Sequence, residues 1–238
     1  MQARFEHKSE ARTAVWNTLE DVGAARFPFP PHGRIPNFEG AEQSAERLFR
    51  SSLFEGADRI KVNPDAPQRY VRIEALRRGC EVYVPSPRLR DGFKRLDPVT
   101  IPDDEMGSAA SLSNMDDWAE SVGLDELPSF DAVVTGSVAV TQDGHRCGKG
   151  EGYSDLEYAI LQELGHGPIP VATTVHSLQV IESIPRDWHD LPLSLVVTPE
   201  ETVSVDDPPP EPEGINWSIL AEDDLDEMPV LRELRESR

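Results

Sequence analysis

Apolar residues recur at Ala11, Val15, Leu19 and Val22, a spacing that predicts a helix over Lys8 to Val22. A second helical face, Ala41, Ala45, Leu48, Phe49 and Leu53, predicts a helix from Ala41 to Phe54. Between them Phe27-Pro28-Phe29-Pro30-Pro31-His32-Gly33-Arg34-Ile35-Pro36 is too rich in Pro and Gly for anything but a loop. Arg59 to Val62 reads as a short strand, Gln68 to Arg78 as a helix stopped by Gly79, and Glu81 to Val84 as the next strand. Leu96 to Leu127 is polar and poorly periodic, which predicts irregular chain with one short helix.

The clearest strand pattern runs from Ala132 to Val140, whose continuous β-branched character fits a strand covered on both faces. Leu156, Ala159, Ile160 and Leu164 then mark a helix ending at Gly165, and Val171 to His176 and Leu193 to Thr198 are further strands. Alternating strands and helices predict an α/β domain over 1–198, with a mainly parallel sheet covered on both sides. Pro199 to Gly214 is acidic and holds Pro208-Pro209-Pro210, so it reads as an extended linker. Over 215–238, Trp217, Ile219, Leu220, Leu225, Met228, Val230, Leu231 and Leu234 are too many large apolar residues for a solvated tail and predict a docking helix.

Charge sharpens this picture. The net charge is -21, with only four lysines, Lys8, Lys61, Lys94 and Lys149. Such a surface repels nucleic acid and anionic lipid. On an ordinary apolar content it reads as adaptation to concentrated salt, where screening removes self-repulsion; an acidic face on a mesophilic protein is the alternative. No apolar run reaches the roughly 18 residues of a membrane span, and the start is charged rather than a signal peptide, so a cytoplasmic protein is expected. Cys80 and Cys147 are too few for a disulfide framework or a cysteine zinc cluster.

The chemistry concentrates in His145-Arg146-Cys147-Gly148-Lys149-Gly150-Glu151-Gly152-Tyr153-Ser154-Asp155. Alternating glycines let backbone N–H groups approach a ligand, and the helix that follows adds its positive end. Arg146 and Lys149 carry the sign that suits phosphate, and Asp155 could hold a magnesium ion bridging phosphate oxygens. The spacing matches neither a P-loop nor a dinucleotide fingerprint, and a structural glycine turn explains it as well. His145 and Cys147 lack metal-ligand spacing, Glu157 reads as part of a solvated helix face, and His32, His166, His176 and His189 read as structural. Arg34 and Asn37 suit either a pocket wall or a turn that caps the following helix.

The loop resembles the nucleotide motif of the 5-formyltetrahydrofolate cyclo-ligase (methenyltetrahydrofolate synthetase) family, roughly G-x-R-x-G-x-G-x-G-Y-Y-D. Gly144, Arg146, Gly148, Gly150, Gly152, Tyr153 and Asp155 match it in register, Lys8 and Arg12 match the N-terminal K-x-x-L-R signature, and Asp190 precedes the final strand. The resemblance implies a three-layer α/β fold related to the sugar-phosphate isomerase and CoA-transferase group. It implies ATP binding by Lys8, Arg12, Arg146, Gly148, Lys149, Gly150, Gly152 and Tyr153, with Lys149 and Arg146 catalytic and Asp155 and Asp190 on Mg2+. The implied reaction phosphorylates the formyl oxygen of 5-formyltetrahydrofolate, after which N10 attacks and phosphate leaves. A small-molecule substrate and a monomer or weak homodimer follow.

Departures from the motif shape the expectation. Glu151 replaces a lysine, Ser154 a tyrosine, and Ala66 a folate-contacting glutamate, while the family's aromatic folate-side loop has no evident counterpart. The GKGEGYSDLEY segment resembles a distinct cyclo-ligase-like branch. ATP binding is therefore expected to persist while turnover of 5-formyltetrahydrofolate is weak, with another heterocycle as substrate. The alternative is a non-catalytic nucleotide- or metabolite-binding paralogue linked to thiamine metabolism.

Overall fold

The computed structural model describes residues 4–90, 92–212, 214–218 and 220–236, excluding the side chain at 224. In chain order the elements begin with α1 (Lys8–Asp21), β1 (Ala25–Arg26), β2 (Asn37–Phe38) and α2 (Ala41–Leu48). Next come β3 (Arg59–Val62), α3 (Gln68–Arg77), β4 (Glu81–Pro85), β5 (Phe93–Leu96), α4 (Met106–Ala109) and β6 (Glu120–Val122). The second half holds β7 (Ala132–Thr135), β8 (Ala139–Val140), β9 (Arg146–Cys147), α5 (Tyr153–Glu163), β10 (Val171–Thr174), β11 (Leu195–Val197) and β12 (Thr202–Ser204). Two helices follow, α6 (Glu222–Glu227) and α7 (Val230–Glu236).

Eight strands form one sheet in the order β12-β11-β10-β7-β3-β4-β5-β6. The centre is parallel from β11 to β4, and antiparallel strands finish both edges. β7 sits between β3 and β10 and is buried along its length, as its β-branched run requires. Alternation along the strands divides the core into two faces. Ile60, Val62, Val82, Val84 and Val134 pack with α2, α3 and α4, whereas Tyr83, Val133, Val171 and Val196 pack with α5 and the C-terminal segment. This is an α/β fold of three layers. A third cluster lies apart, where Ala11, Val15 and Leu19 of α1 meet Ile35, Val138, Ala139, Cys147 and Ile181.

Several boundaries differ from the sequence pattern. The expected strand 132–140 is two strands, because β8 leaves the main sheet after Gly136 to pair with β9. A Cβ on Gly136 would lie 2.6 Å from Asp65 Oδ2 and 3.0 Å from the Ile35 side chain, so a larger residue at this crossing would displace both. α2 ends at Leu48, and Ser52–Phe54 is a separate 3₁₀ turn. The polar stretch 96–127 contains a second edge strand, β6, alongside its short helix. The segment 199–214 is not linker throughout, since β12 pairs with β11 at Leu195–Ser204, Val196–Val203 and Val197–Thr202. Ile215, Leu225, Met228, Val230 and Leu231 are buried in the α5-side cluster, while Ile219 lies outside the described residues.

Candidate nucleotide and substrate sites

The side chains that matter hang from α1, the β8–β9 arm and the start of α5. Residues three and four apart share a helix face, so one edge of α1 buries Ala11 and Val15 in the third cluster, while Arg12 reaches the glycine loop and Lys8 reaches Asp187 and Asp190. Arg12 Nε donates to the Gly148 carbonyl at 2.7 Å. Gly150 has φ 115°, and a Cβ there would sit 3.4 Å from the Arg12 guanidinium. Glycine therefore allows both the turn and the close approach.

Arg146 is buried, 4 % exposed. Its Nε and Nη2 donate to the Gly136 carbonyl at 3.1 and 2.9 Å, and Nη1 donates to Asp155 Oδ1 at 3.0 Å. The same Asp155 oxygen accepts the Leu191 backbone N–H at 2.9 Å. Lys8 Nζ donates to both oxygens of Asp190, at 2.5 and 2.6 Å, and to Asp187 Oδ2 at 2.7 Å. Burial lowers the Lys8 pKa, but these bonds outweigh it and hold the ammonium above the ordinary lysine value. The same bonds hold Asp187 below the carboxylate range. Burial pushes the Cys147 thiol up despite Arg12 and Arg146 nearby, which keeps it protonated and fits a packing role.

Lys8, Arg12, Arg146, Gly148, Gly150, Gly152, Asp155 and Asp190 all line one cavity of about 180 Å³. Gly152 opens α5 in the left-handed conformation, so the positive end of the helix belongs to the same cavity. Two expected members stand elsewhere. Lys149 points away to pair with Glu151 at 2.7 Å and lines a different, larger cavity; Tyr153 donates its hydroxyl to Glu227 at 2.8 Å beside a third. Asp155 is held by Arg146, and the groups that converge with Asp190 are Asp187 and His189, whose ligand atoms lie within 4.8 Å of one another. Hard carboxylate oxygens among the lining of this pocket fit a magnesium ion, with the Lys8 ammonium as its competitor.

The larger cavity, about 1150 Å³, opens at the carboxyl ends of the central strands. Residues following β3 form part of its floor, as expected where ligands bind in open α/β sheets. Phe27 and Arg34 line it from the Pro-rich loop, and Asn37 from the start of β2. Asp65, next to Ala66, faces the same space. Burial raises its carboxyl pKa, with Lys149, Arg72 and Arg146 opposing and Glu157 adding to the rise.

Glu157 is not on a solvated face. It is buried and accepts from Lys61 Nζ at 2.5 Å, while Asn63 donates to Glu157 at 3.3 Å and to Ser154 at 3.0 Å. Lys61 alternates with Ile60 and Val62 and so points to the opposite face of the sheet, toward α5. The sequence assigned no site role to Asp65, Lys61 or Asp187, and it read His189 as structural. Only Lys61 carried a signal, as a lone charge within a strand.

Fold and site together define a three-layer α/β protein with a small glycine-lined cavity, rich in charged side chains of both signs, beside a larger one. The sequence model of the 5-formyltetrahydrofolate cyclo-ligase family matches residues 4–199, and the chain belongs to this family. It is 42% identical over 236 residues to the mouse "Methenyltetrahydrofolate synthase domain-containing protein", covering 96% of this chain and 63% of that protein. The bovine protein of the same name is 41% identical over 235 residues, covering 96% of this chain and 62% of its own length. The chain thus spans less than two thirds of these relatives. The NMR structure of Aquifex aeolicus 5,10-methenyltetrahydrofolate synthetase superposes with a TM-score of 0.53 at 19% identity, covering 84% of this chain and 93% of that one, which shows the shared fold.

Proposed function

We propose that this protein is an ATP-dependent cyclo-ligase acting on 5-formyltetrahydrofolate or a closely related heterocycle. The observation that carries this reading is the convergence of Lys8, Arg12 and Arg146 on a glycine-lined cavity at the N-terminus of α5. Phosphoryl transfer asks chiefly for positioning and charge neutralisation. Arg12 and Arg146 are fixed by carbonyls and by Asp155, so their remaining N–H donors are already aimed when phosphate arrives. Mg2+ would be held by Asp190, with Asp155 or Asp187, and would neutralise charge on the transferring group.

The larger cavity would take the heterocycle, with Phe27 offering an aromatic face. The substrate's formyl oxygen must then approach the terminal phosphate across the glycine loop. The phosphorylated formyl group loses phosphate as N10 closes the ring. Glu151 is a smaller obstacle than its sequence position implies, because Lys149 neutralises it outside the 180 Å³ pocket. The segment 199–238 is read as part of the same domain, and the acidic surface as an adaptation to salt. Among the described residues no helix is long and apolar enough to cross a membrane.

The test is formation of 5,10-methenyltetrahydrofolate, followed by absorbance with ATP and magnesium, beside Arg146→Met. Turnover lowered about 100-fold or more by the substitution is expected, and a kcat/KM of about 10⁴ M⁻¹s⁻¹ or more for the unaltered chain would overturn the expectation of weak turnover. ATP binding without turnover would favour a second reading, a metabolite-binding paralogue. The absence of Lys149 from the phosphate pocket is the observation on that side.

A further inference from the structure

A separate cavity of about 360 Å³ lies between the start of α5 and the C-terminal segment. Leu156 and Ala159 form its wall on the α5 side, and Ile215, Leu220 and Met228 face them. Its size falls within the range of ligand sites, at the small end. Gly152, Asp155 and His189 line both this cavity and the 180 Å³ pocket, so the two share a wall. Cations stand on only one side of that wall: Lys8, Arg12 and Arg146 line the pocket together with Asp155, Asp187 and Asp190, whereas the described lining of the cavity holds Glu151, Asp155 and Glu227 and neither lysine nor arginine. At the junction, His189 Nδ1 is buried with no hydrogen-bond partner. A buried polar atom without a partner is unfavourable, which points to a ligand group there.

We infer that the C-terminal segment completes a nucleotide site, and that this cavity takes the heteroaromatic base and sugar of the nucleotide whose phosphates occupy the glycine-loop pocket. The inference rests on reading that pocket as a triphosphate site. Flat apolar faces suit the slot between α5 and Ile215 and Met228, and acidic walls exclude phosphate from it. A sugar hydroxyl at the junction would pair with His189. The family's sequence model stops at residue 199, whereas the alignment with the mouse relative covers 96% of the chain and therefore continues beyond it. The wall is thus a feature of this branch, added to the shared family core.

The experiment measures binding of ATP and of inorganic tripolyphosphate by calorimetry to the full chain, to Ala159→Phe and to Leu220→Glu, each checked for folding by circular dichroism. Filling the slot or charging its wall should weaken ATP by about tenfold or more while tripolyphosphate binding stays within about twofold. Unchanged ATP affinity in a folded variant, or parallel loss of both ligands, overturns the inference. A wild-type chain that binds neither ligand removes the triphosphate reading itself, a different failure. Photolabelling of the unaltered chain with 8-azido-ATP, read by peptide mapping, requires no variant to fold. Label on 212–228 is the expected result, and label on 27–38 at the larger cavity overturns the assignment.

Discussion

Asp65 shows how far a single position can carry information. Sequence comparison drew attention to Ala66, where a carboxylate is missing, yet the carboxylate facing the large cavity comes from the residue before it. The direction in which a side chain leaves the end of a strand depends on the turn that follows, and Pro64 sets that turn. Burial raises the Asp65 pKa, so the folded chain keeps a proton that the unfolded chain releases. Stability from this group is therefore present at low pH and lost as pH rises above the unfolded value of about 4. Asp65→Asn should melt higher than wild type at pH 7 and match it near pH 4, with affinity for the heterocycle reduced about tenfold or more. Thermal unfolding at the two pH values and a substrate titration check both parts. Equal melting shifts at both pH values would contradict the assignment.

β7, β10 and β11 were legible as elements because they are short apolar, largely β-branched runs between glycines and prolines, whereas β12 was hidden in an acidic stretch read as linker. β5 was missed because Lys94 and Arg95 interrupt it; these charges pair outward, Arg95 with Glu81 and Asp97, and Lys94 with Asp116. α1 was found at nearly its full length, but nothing in its pattern revealed that it packs on the β8–β9 arm and not on the main sheet. α5 depends on a link that the sequence reading placed on a solvated face, although Glu157 lies three and four residues before the buried Ile160 and Leu161. Glu157→Leu should leave the Lys61 ammonium buried without a counter-charge and cost about 3–5 kcal/mol. The Lys61→Met/Glu157→Leu double variant should recover most of that loss. Denaturant titration of the three proteins decides it. A double variant as unstable as the single one would mean that the pair does more than balance its own charges.

Across the whole molecule, a charge of -21 means that mutual repulsion among surface carboxylates works against compactness at low salt. The Debye length falls from about 10 Å at 0.1 M to about 3 Å at 1 M, so the melting temperature should rise by roughly 4 °C or more between those KCl concentrations. A fall would show that exposed pairs such as Arg26–Glu39 outweigh the repulsion. The hydrophobic clusters carry a further consequence. Lys8 and Arg12 belong to a helix anchored in the third cluster, while Gly152 and Asp155 begin a helix anchored in the second. The small pocket is the seam between these two bodies, and polar ties such as Arg12 to Gly148 and Arg146 to Asp155 cross it. A polyanion seated there would act as a rivet between the two helices, raising the melting temperature by binding only the chain in which both are in place.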